Sequence, residues 1–128
     1  MDIQAGDVFT WSRTFTKEDV QTFGELSGDL GRHHVEPDEE GRLMVQGLLT
    51  ASVGTKIGGD IHYIAREMVS EFILPVFTGD TITCALTLHK LEQREGYKKI
   101  EMKTVYTNQD NKEVMKGSSY GIIKDVLQ

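Results

Sequence analysis

The stretch MVQGLLTASVGTKI, residues 44–57, decides the fold because its apolar residues recur on every side of a helix. These residues are Met44, Val45, Leu48, Leu49, Ala51, Val53 and Ile57. A helix that is apolar around its whole circumference belongs in the interior of a protein. The pattern therefore predicts a buried helix over residues 44–57, which Gly54 weakens and which Gly58 and Gly59 end.

Downstream of this helix, apolar residues alternate with polar ones, as in a half-buried antiparallel strand. In DTITCALTLHKLE, residues 80–92, one face of the predicted strand is apolar: Ile82, Cys84, Leu86 and Leu88. The turn sequences TGD, REG and QDNK separate the predicted strands from one another. Pro75 is expected to interrupt the preceding strand at a bulge or at its end.

Upstream of the helix, the sequence predicts two shorter elements. Residues 8–15 have the pattern of a strand with three apolar anchors: Val8, Trp11 and Phe15. Thr16 and Asp19 resemble a capping box, so a helix is expected to begin there and reach about Ser27. Three of its residues recur at helical spacing: Val20, Phe23 and Leu26. Together the elements predict an α+β fold, with a curved antiparallel sheet wrapped around the buried helix.

The composition is that of one globular domain, which we place at residues 1–128. The formal net charge of −6 argues against nucleic acid as a partner, because nucleic acid requires a basic surface. No run approaches the roughly 20 apolar residues of a membrane span. Cys84 is the only cysteine and is expected to be a core thiol, so we predict neither a disulfide nor a Cys-based metal site. With no signal peptide recognisable, the cytoplasm is the expected compartment.

Three stretches resemble one known family. LSGD, with His34 five residues after Asp29, is similar to a hydratase motif usually written Asp-x-Asn-Pro-x-His. VQGLLTAS is similar to the start of that family's central helix, and FILPVFTGDTIT to its strand and turn Phe-x-x-Pro-Val-Phe-x-Gly-Asp. The chain thus resembles the hot-dog fold and, within it, the MaoC-like R-specific enoyl-CoA hydratases. It departs from them at Gly31, Arg32 and Gln46, where they usually have asparagine, proline and histidine.

The resemblance implies that Asp29 and His34 are catalytic and share the reacting water. We expect His34 to act as base toward this water and Asp29 as its proton-exchanging partner, although a coupled pair leaves that division open. The Gly47 amide, near the start of the buried helix, is expected to donate a hydrogen bond to the thioester oxygen, on which negative charge develops. No metal or redox cofactor is implied, and coenzyme A enters as part of the substrate.

Further residues are candidates for substrate binding: Arg32, Met44, Gln46, Leu48, Tyr63 and Phe72. For Arg32 three roles stay open, namely binding a coenzyme A phosphate, pairing with Asp29, or pointing into solvent. A single sheet of this size leaves an open edge, so a homodimer or a dimer of dimers is expected.

The sequence therefore predicts an R-specific enoyl-CoA hydratase or, in reverse, a 3-hydroxyacyl-thioester dehydratase. One alternative is a hot-dog acyl-CoA thioesterase, which would need an acidic residue on the central helix, and residues 44–57 contain none. The other alternative is a non-catalytic domain that binds acyl thioesters, suggested by the departures at Gly31 and Arg32.

Overall fold

The computed structural model describes residues 2–127. The elements are β1 (Val8–Thr14), α1 (Lys17–Ser27), α2 (Arg32–Val35), α3 (Gly47–Asp60), β2 (Ile64–Phe72), β3 (Thr81–Arg94), β4 (Tyr97–Thr107), β5 (Glu113–Lys124) and a terminal 3-10 turn (Asp125–Leu127). The strands form one antiparallel sheet in the order β1-β3-β4-β5-β2. The sheet packs against α3, which confirms the predicted α+β hot-dog architecture.

The inner face of the sheet carries the core, as the alternating pattern of β3 predicts. Its four apolar residues are all buried: Ile82, Cys84, Leu86 and Leu88. Burying side chains of this size stabilises the fold by roughly 1.5–3 kcal/mol each, before the cost of ordering the chain. Gly79 and Gly96 have positive φ angles of 96° and 85° and make the tight turns on either side of β3. The predicted turns at TGD and REG are therefore confirmed.

Helix α3 differs from its prediction at both ends. It begins at Gly47 rather than residue 44, because Met44 forms an isolated bridge with Phe77 and the Val45 amide donates to the Val76 carbonyl. Its end at Asp60 lies beyond all three glycines, so the prediction that Gly58 and Gly59 terminate it is wrong. Close packing explains one of them: a Cβ at Gly54 would overlap the Tyr106 hydroxyl.

The helix is also not buried on every side. Leu48 is 68% exposed, because the sheet covers only one face of α3 in a single protomer. On the covered face, the Tyr106 hydroxyl donates to the Ala51 carbonyl at 3.0 Å and anchors α3 to β4. Cys84 lies beside this contact, and burial raises the pKa of its thiol to about 11. The predicted core thiol is confirmed.

Helix α1 begins as predicted. The Thr16 hydroxyl accepts from the Asp19 amide at 3.1 Å, and the Asp19 carboxylate accepts from the Thr16 amide at 2.9 Å. This reciprocal pair is a capping box.

Several apolar residues predicted as anchors are exposed instead. Of the three anchors predicted for the first strand, only Phe15, directly after β1, is buried. Val8 and Trp11 are exposed on β1, which is an edge strand. Leu26 of α1 is also exposed. Among residues 2–127, no helix is long and apolar enough to cross a membrane.

Candidate active site

The segment between α1 and α3 brings Asp29 and His34 together. Gly28 ends α1 in the left-handed conformation, with a φ of 78°, and the Ser27 hydroxyl then accepts from the Asp29 amide at 3.0 Å. The short helix α2 follows, and it directs the His34 ring back toward Asp29. His34 Nε2 lies 3.5 Å from Asp29 Oδ2, with His34 7% exposed and the Asp29 side chain 50% exposed.

A backbone carbonyl fixes the tautomer of His34. Its Nδ1 lies 2.6 Å from the Met44 oxygen, and a carbonyl oxygen can only accept a hydrogen bond. Nδ1 therefore carries the hydrogen, which leaves a lone pair on Nε2 whenever the ring is neutral. That lone pair lies on the side of Asp29, which is the arrangement a general base requires.

His33 occupies the space beside this pair. Its ring centroid lies 3.9 Å from that of His34. A Cβ at Gly31 would come within 3.0 Å of His33 Cε1 and 3.5 Å of Asp29 Oδ1. Glycine at position 31, where the related motif has asparagine, therefore leaves space for the His33 ring close to the Asp29 carboxylate.

A cavity of about 430 Å³, here called the amino-terminal pocket, lies at the start of α3. Its walls include His33, His34, Met44, Gly47, Thr50 and Phe72. The helix begins at Gly47, so the amide of this residue has no intrahelical acceptor. The helix dipole adds partial positive charge at this end. The pocket thus combines a lone-pair nitrogen with a helix amide suited to a negatively charged oxygen.

The Phe72 ring packs against Gly47. A Cβ at Gly47 would lie 2.7 Å from Phe72 Cε1, so the ring rests against the helix start. Only glycine at position 47 permits this approach.

A second cavity of about 240 Å³, here called the inner cavity, lies further along α3 between the helix and the sheet. Its walls include Ala51, Gly54, Gly58, Met68, Ser70 and Met115. Tyr63 also borders it, and its hydroxyl is 2.7 Å from that of Ser119. Burial raises the pKa of the Tyr63 phenol. The inner cavity is lined mostly by apolar side chains and glycines.

The structure brings five predicted site residues to the amino-terminal pocket or its edge. These are Asp29, His34, Met44, Gly47 and Phe72. Their roles in catalysis stay predictions, but their proximity agrees with the motif spacing.

Four other candidates lie elsewhere. Arg32 is exposed and its guanidinium pairs with Glu36 at 2.6 Å, not with Asp29. Leu48 faces solvent, and Tyr63 borders the inner cavity.

Gln46, the fourth of these candidates, is buried. Its Nε2 donates to the Val20 carbonyl at 3.0 Å, which ties the start of α3 to α1. Gln46 Oε1 has no hydrogen-bond partner among the residues that the structure describes.

Sequence reasoning missed two contributions to the pocket. Thr50 is buried and lines the pocket three residues after Gly47, a spacing that places two helical residues on one face. That spacing was a usable signal. No signal in the sequence pointed to the Met44 carbonyl, since every residue carries a backbone carbonyl.

Comparison with known proteins gives a family. The model of the FAS1-like dehydratase domain region matches residues 49–117, more than half of the chain. The chain belongs to this family. A curated relative, the mitochondrial 3-hydroxyacyl-[acyl-carrier-protein] dehydratase of Arabidopsis thaliana, is 28% identical over 98% of this chain and 82% of its own length.

Solved structures support the fold. The unliganded R-hydratase PhaJ1 of Pseudomonas aeruginosa superposes with a TM-score of 0.82 at 19% identity, covering 95% of this chain and 82% of that one. The (R)-hydratase of A. caviae involved in PHA biosynthesis also gives 0.82, at 23% identity over 95% and 97% of the two chains. At such identities the likeness is one of fold.

Proposed function

We propose that the protein is a hydro-lyase that adds water across a trans-2-enoyl thioester, or removes it from the (R)-3-hydroxyacyl product. Membership in a dehydratase family supports the reaction class. The observation that carries the assignment to this pocket is the hydrogen bond from His34 Nδ1 to Met44, which leaves the Nε2 lone pair beside Asp29. A family match alone names no residues.

In the hydration direction, His34 Nε2 takes a proton from a water that forms hydrogen bonds to both the ring and the Asp29 carboxyl. The water oxygen forms a bond to C3, and the C2–C3 π electrons shift to give an enolate with negative charge on the thioester oxygen. The Asp29–His34 pair then returns a proton to C2, so one water is added and the pair regains its starting state. General acid–base groups of this kind contribute roughly 10²–10⁴ in rate.

The Gly47 amide is the proposed donor to the enolate oxygen. It is a backbone group at a helix start, so it is already oriented before the charge develops. In related reactions, the loss of one such donor reduces kcat by roughly 10²–10³.

The proposed substrate is an acyl-CoA, with its acyl chain in the apolar space along α3. The net charge of −6 disfavours docking of an acidic carrier protein, but the phosphates of coenzyme A are also negative, so the charge does not choose between the two. The Arabidopsis relative is named for an acyl-carrier-protein substrate, so the carrier is a point for experiment. Location in the cytoplasm stays a prediction.

We also propose a homodimer formed through β2. This strand lies at the edge of the sheet and is followed by further apolar residues. Apart from Phe72, whose ring lies against Gly47, the strand and the segment after it expose four large apolar side chains: Met68, Val69, Ile73 and Leu74. An unpaired apolar edge favours association with a second copy. Size-exclusion chromatography with light scattering should give a dimer or tetramer, and a stable monomer at micromolar concentration would contradict this assembly.

The reaction is tested with trans-2-enoyl-CoAs of several chain lengths, by following the loss of enoyl absorbance and the configuration of the product. We expect the (R)-3-hydroxyacyl-CoA. Release of free thiol from saturated acyl-CoAs without enoyl turnover would instead indicate the thioesterase. That enzyme lacks support here because the only acid on α3 is Asp60, at the far end and paired with Lys56. Thermal stabilisation by acyl-CoAs without any turnover would indicate a binding domain.

A further inference from the structure

The two cavities lie next to each other along α3. On the helix, Gly47 lines the amino-terminal pocket and Ala51, one turn later, lines the inner cavity. On the facing strand β2, Phe72 lines the first cavity and Ser70 the second. The boundary therefore runs between positions 47 and 51 on the helix and between positions 70 and 72 on the strand.

The register of β2 directs the Phe72 ring into this boundary. Side chains two residues apart on a strand point to the same face, so Phe72 shares its face with Ser70 and Met68. Both of those line the inner cavity, whereas the Phe72 ring lies against Gly47. Phe72 is thus the last side chain of the row, and it stands between the two cavities.

The ring is not held in place by the core. Phe72 is 54% exposed, and its closest neighbour on the helix is a glycine without a side chain to interlock with it. A different rotamer of Phe72 would clear the boundary without opening a cavity in the core.

We propose that Phe72 determines the acyl chain length that the protein accepts. With the ring against Gly47, only a short acyl chain fits, because the amino-terminal pocket is closed toward the inner cavity. A longer chain enters the inner cavity after the ring turns away, and its binding is weakened by that displacement. This inference rests on the proposed function, since it takes the acyl group of a thioester as the ligand of both cavities.

Phe72→Ala removes the ring and should join the cavities. Each methylene buried in apolar surroundings adds roughly fourfold in affinity. We expect the ratio of kcat/KM for trans-2-decenoyl-CoA to that for trans-2-butenoyl-CoA to rise at least about tenfold over the wild-type ratio. Glu71→Ala is the matched control, since this neighbour is exposed, points to the other face of β2 and is absent from the walls of both cavities. Its ratio should stay within about twofold of wild type.

Ser70→Phe tests the same division from the other side. It fills the mouth of the inner cavity and should lower kcat/KM for the longer substrate while leaving the shorter one nearly unchanged. Equal effects of Phe72→Ala on both substrates, or no effect of Ser70→Phe on the longer one, would overturn the proposal.

Binding separates this inference from the proposed reaction. The affinities of saturated butanoyl-CoA and decanoyl-CoA are measured by calorimetry for the wild type and the three variants. If the wild type binds but never hydrates enoyl-CoAs, the reaction fails, and the gain in decanoyl-CoA affinity of Phe72→Ala still decides the role of Phe72. If no variant binds either thioester, the role of Phe72 is also rejected.

Discussion

Gly47 and Gly54 lie about two turns apart on α3, and each approaches an aromatic ring of the sheet. Opposite Gly47 the ring is Phe72, which is half exposed and cannot form a hydrogen bond. Opposite Gly54 it is Tyr106, which is buried and donates to the Ala51 carbonyl. The same contact between glycine and an aromatic residue therefore leaves a ring free to move at the helix start and fixes the helix to the sheet in its middle.

This difference shows that a glycine in a buried helix is understood only from the group that faces it. Gly47 lines the amino-terminal pocket, so a change at this position is expected to affect the binding of a ligand. Gly54 borders the core, so a change at this position is expected to affect the stability of the fold. Two experiments test this division of α3 into a reactive end and a structural middle, and a third measures the effect of one charge at the start of α1.

The largest effect is expected at the reactive end. Asp29→Asn and His34→Ala should each lower kcat for enoyl-CoA hydration by roughly 10²–10⁴, because either change removes one half of the proton-transferring pair. The double variant should be barely worse than either single one, since the two groups act as a unit. Steady-state kinetics measure this, with circular dichroism to show that each variant is folded.

His33→Ala is the matched control for this pair. Its ring lies in the same pocket, but among the residues that the structure describes no hydrogen bond joins it to Asp29. Its loss should cost less than about tenfold in kcat. If His33→Ala were inactive and His34→Ala active, the assignment of the base to His34 would be wrong.

The middle of the helix should respond in stability. Gly54→Ala places a methyl group onto the Tyr106 hydroxyl and should destabilise the fold by about 1–3 kcal/mol. At Gly58 a Cβ would meet only Tyr63, at 3.8 Å, so Gly58→Ala should be neutral or stabilise by up to about 1 kcal/mol. Gly47→Ala, whose Cβ meets a ring that can turn, should lose activity with little change in stability. Urea denaturation provides the values, and equal losses at Gly54 and Gly58 would remove the proposed role of Tyr106.

The smallest effect concerns Asp19 at the start of α1, far from either glycine. Burial acts to raise the pKa of this carboxyl. The hydrogen bond from the Thr16 amide and the Arg13 guanidinium together outweigh burial, so the pKa lies below its usual value of 3.8. A carboxyl with a lowered folded pKa stabilises the fold above its unfolded pKa, and this stabilisation is lost as the pH falls through the folded value. Asp19→Asn should therefore cost about 1 kcal/mol near neutral pH and nothing in strong acid.

Denaturation of Asp19→Asn across acidic pH measures this effect. Glu18→Gln is the control, because the adjacent Glu18 is exposed outside the capping box. A gap between wild type and Asp19→Asn that stays constant with pH would contradict the role of the charge.

The sheet and the capping box could be predicted from the sequence because each depends on local order along the chain. In β3 the period of two fixes which face is buried, and the Thr16–Asp19 spacing fixes where α1 begins. The limits of α3 could not be predicted this way. Its start depends on the bridge between Met44 and Phe77, two segments far apart in sequence.

The site was predictable in its residues but not in its geometry. The spacing of Asp29 and His34 suggested a pair, and the structure places them 3.5 Å apart. The tautomer of His34 depends on the Met44 carbonyl, and the positions of Arg32 and Gln46 depend on which partner each side chain reaches. Such choices are made by tertiary contacts, so sequence alone named Arg32 and Gln46 as candidates for the substrate but did not predict their contacts with Glu36 and Val20.

The single thiol of the chain offers a clock for the opening of the fold. Cys84 is fully buried beside the contact that joins α3 to β4, and its raised pKa of about 11 keeps it protonated at neutral pH. A thiol reagent needs the exposed thiolate, so alkylation of the native protein has to wait until the helix separates from the sheet. The labelling rate of this one residue therefore reports the open population when alkylation is slower than reclosing, and the rate of opening when alkylation is faster. No introduced probe is needed.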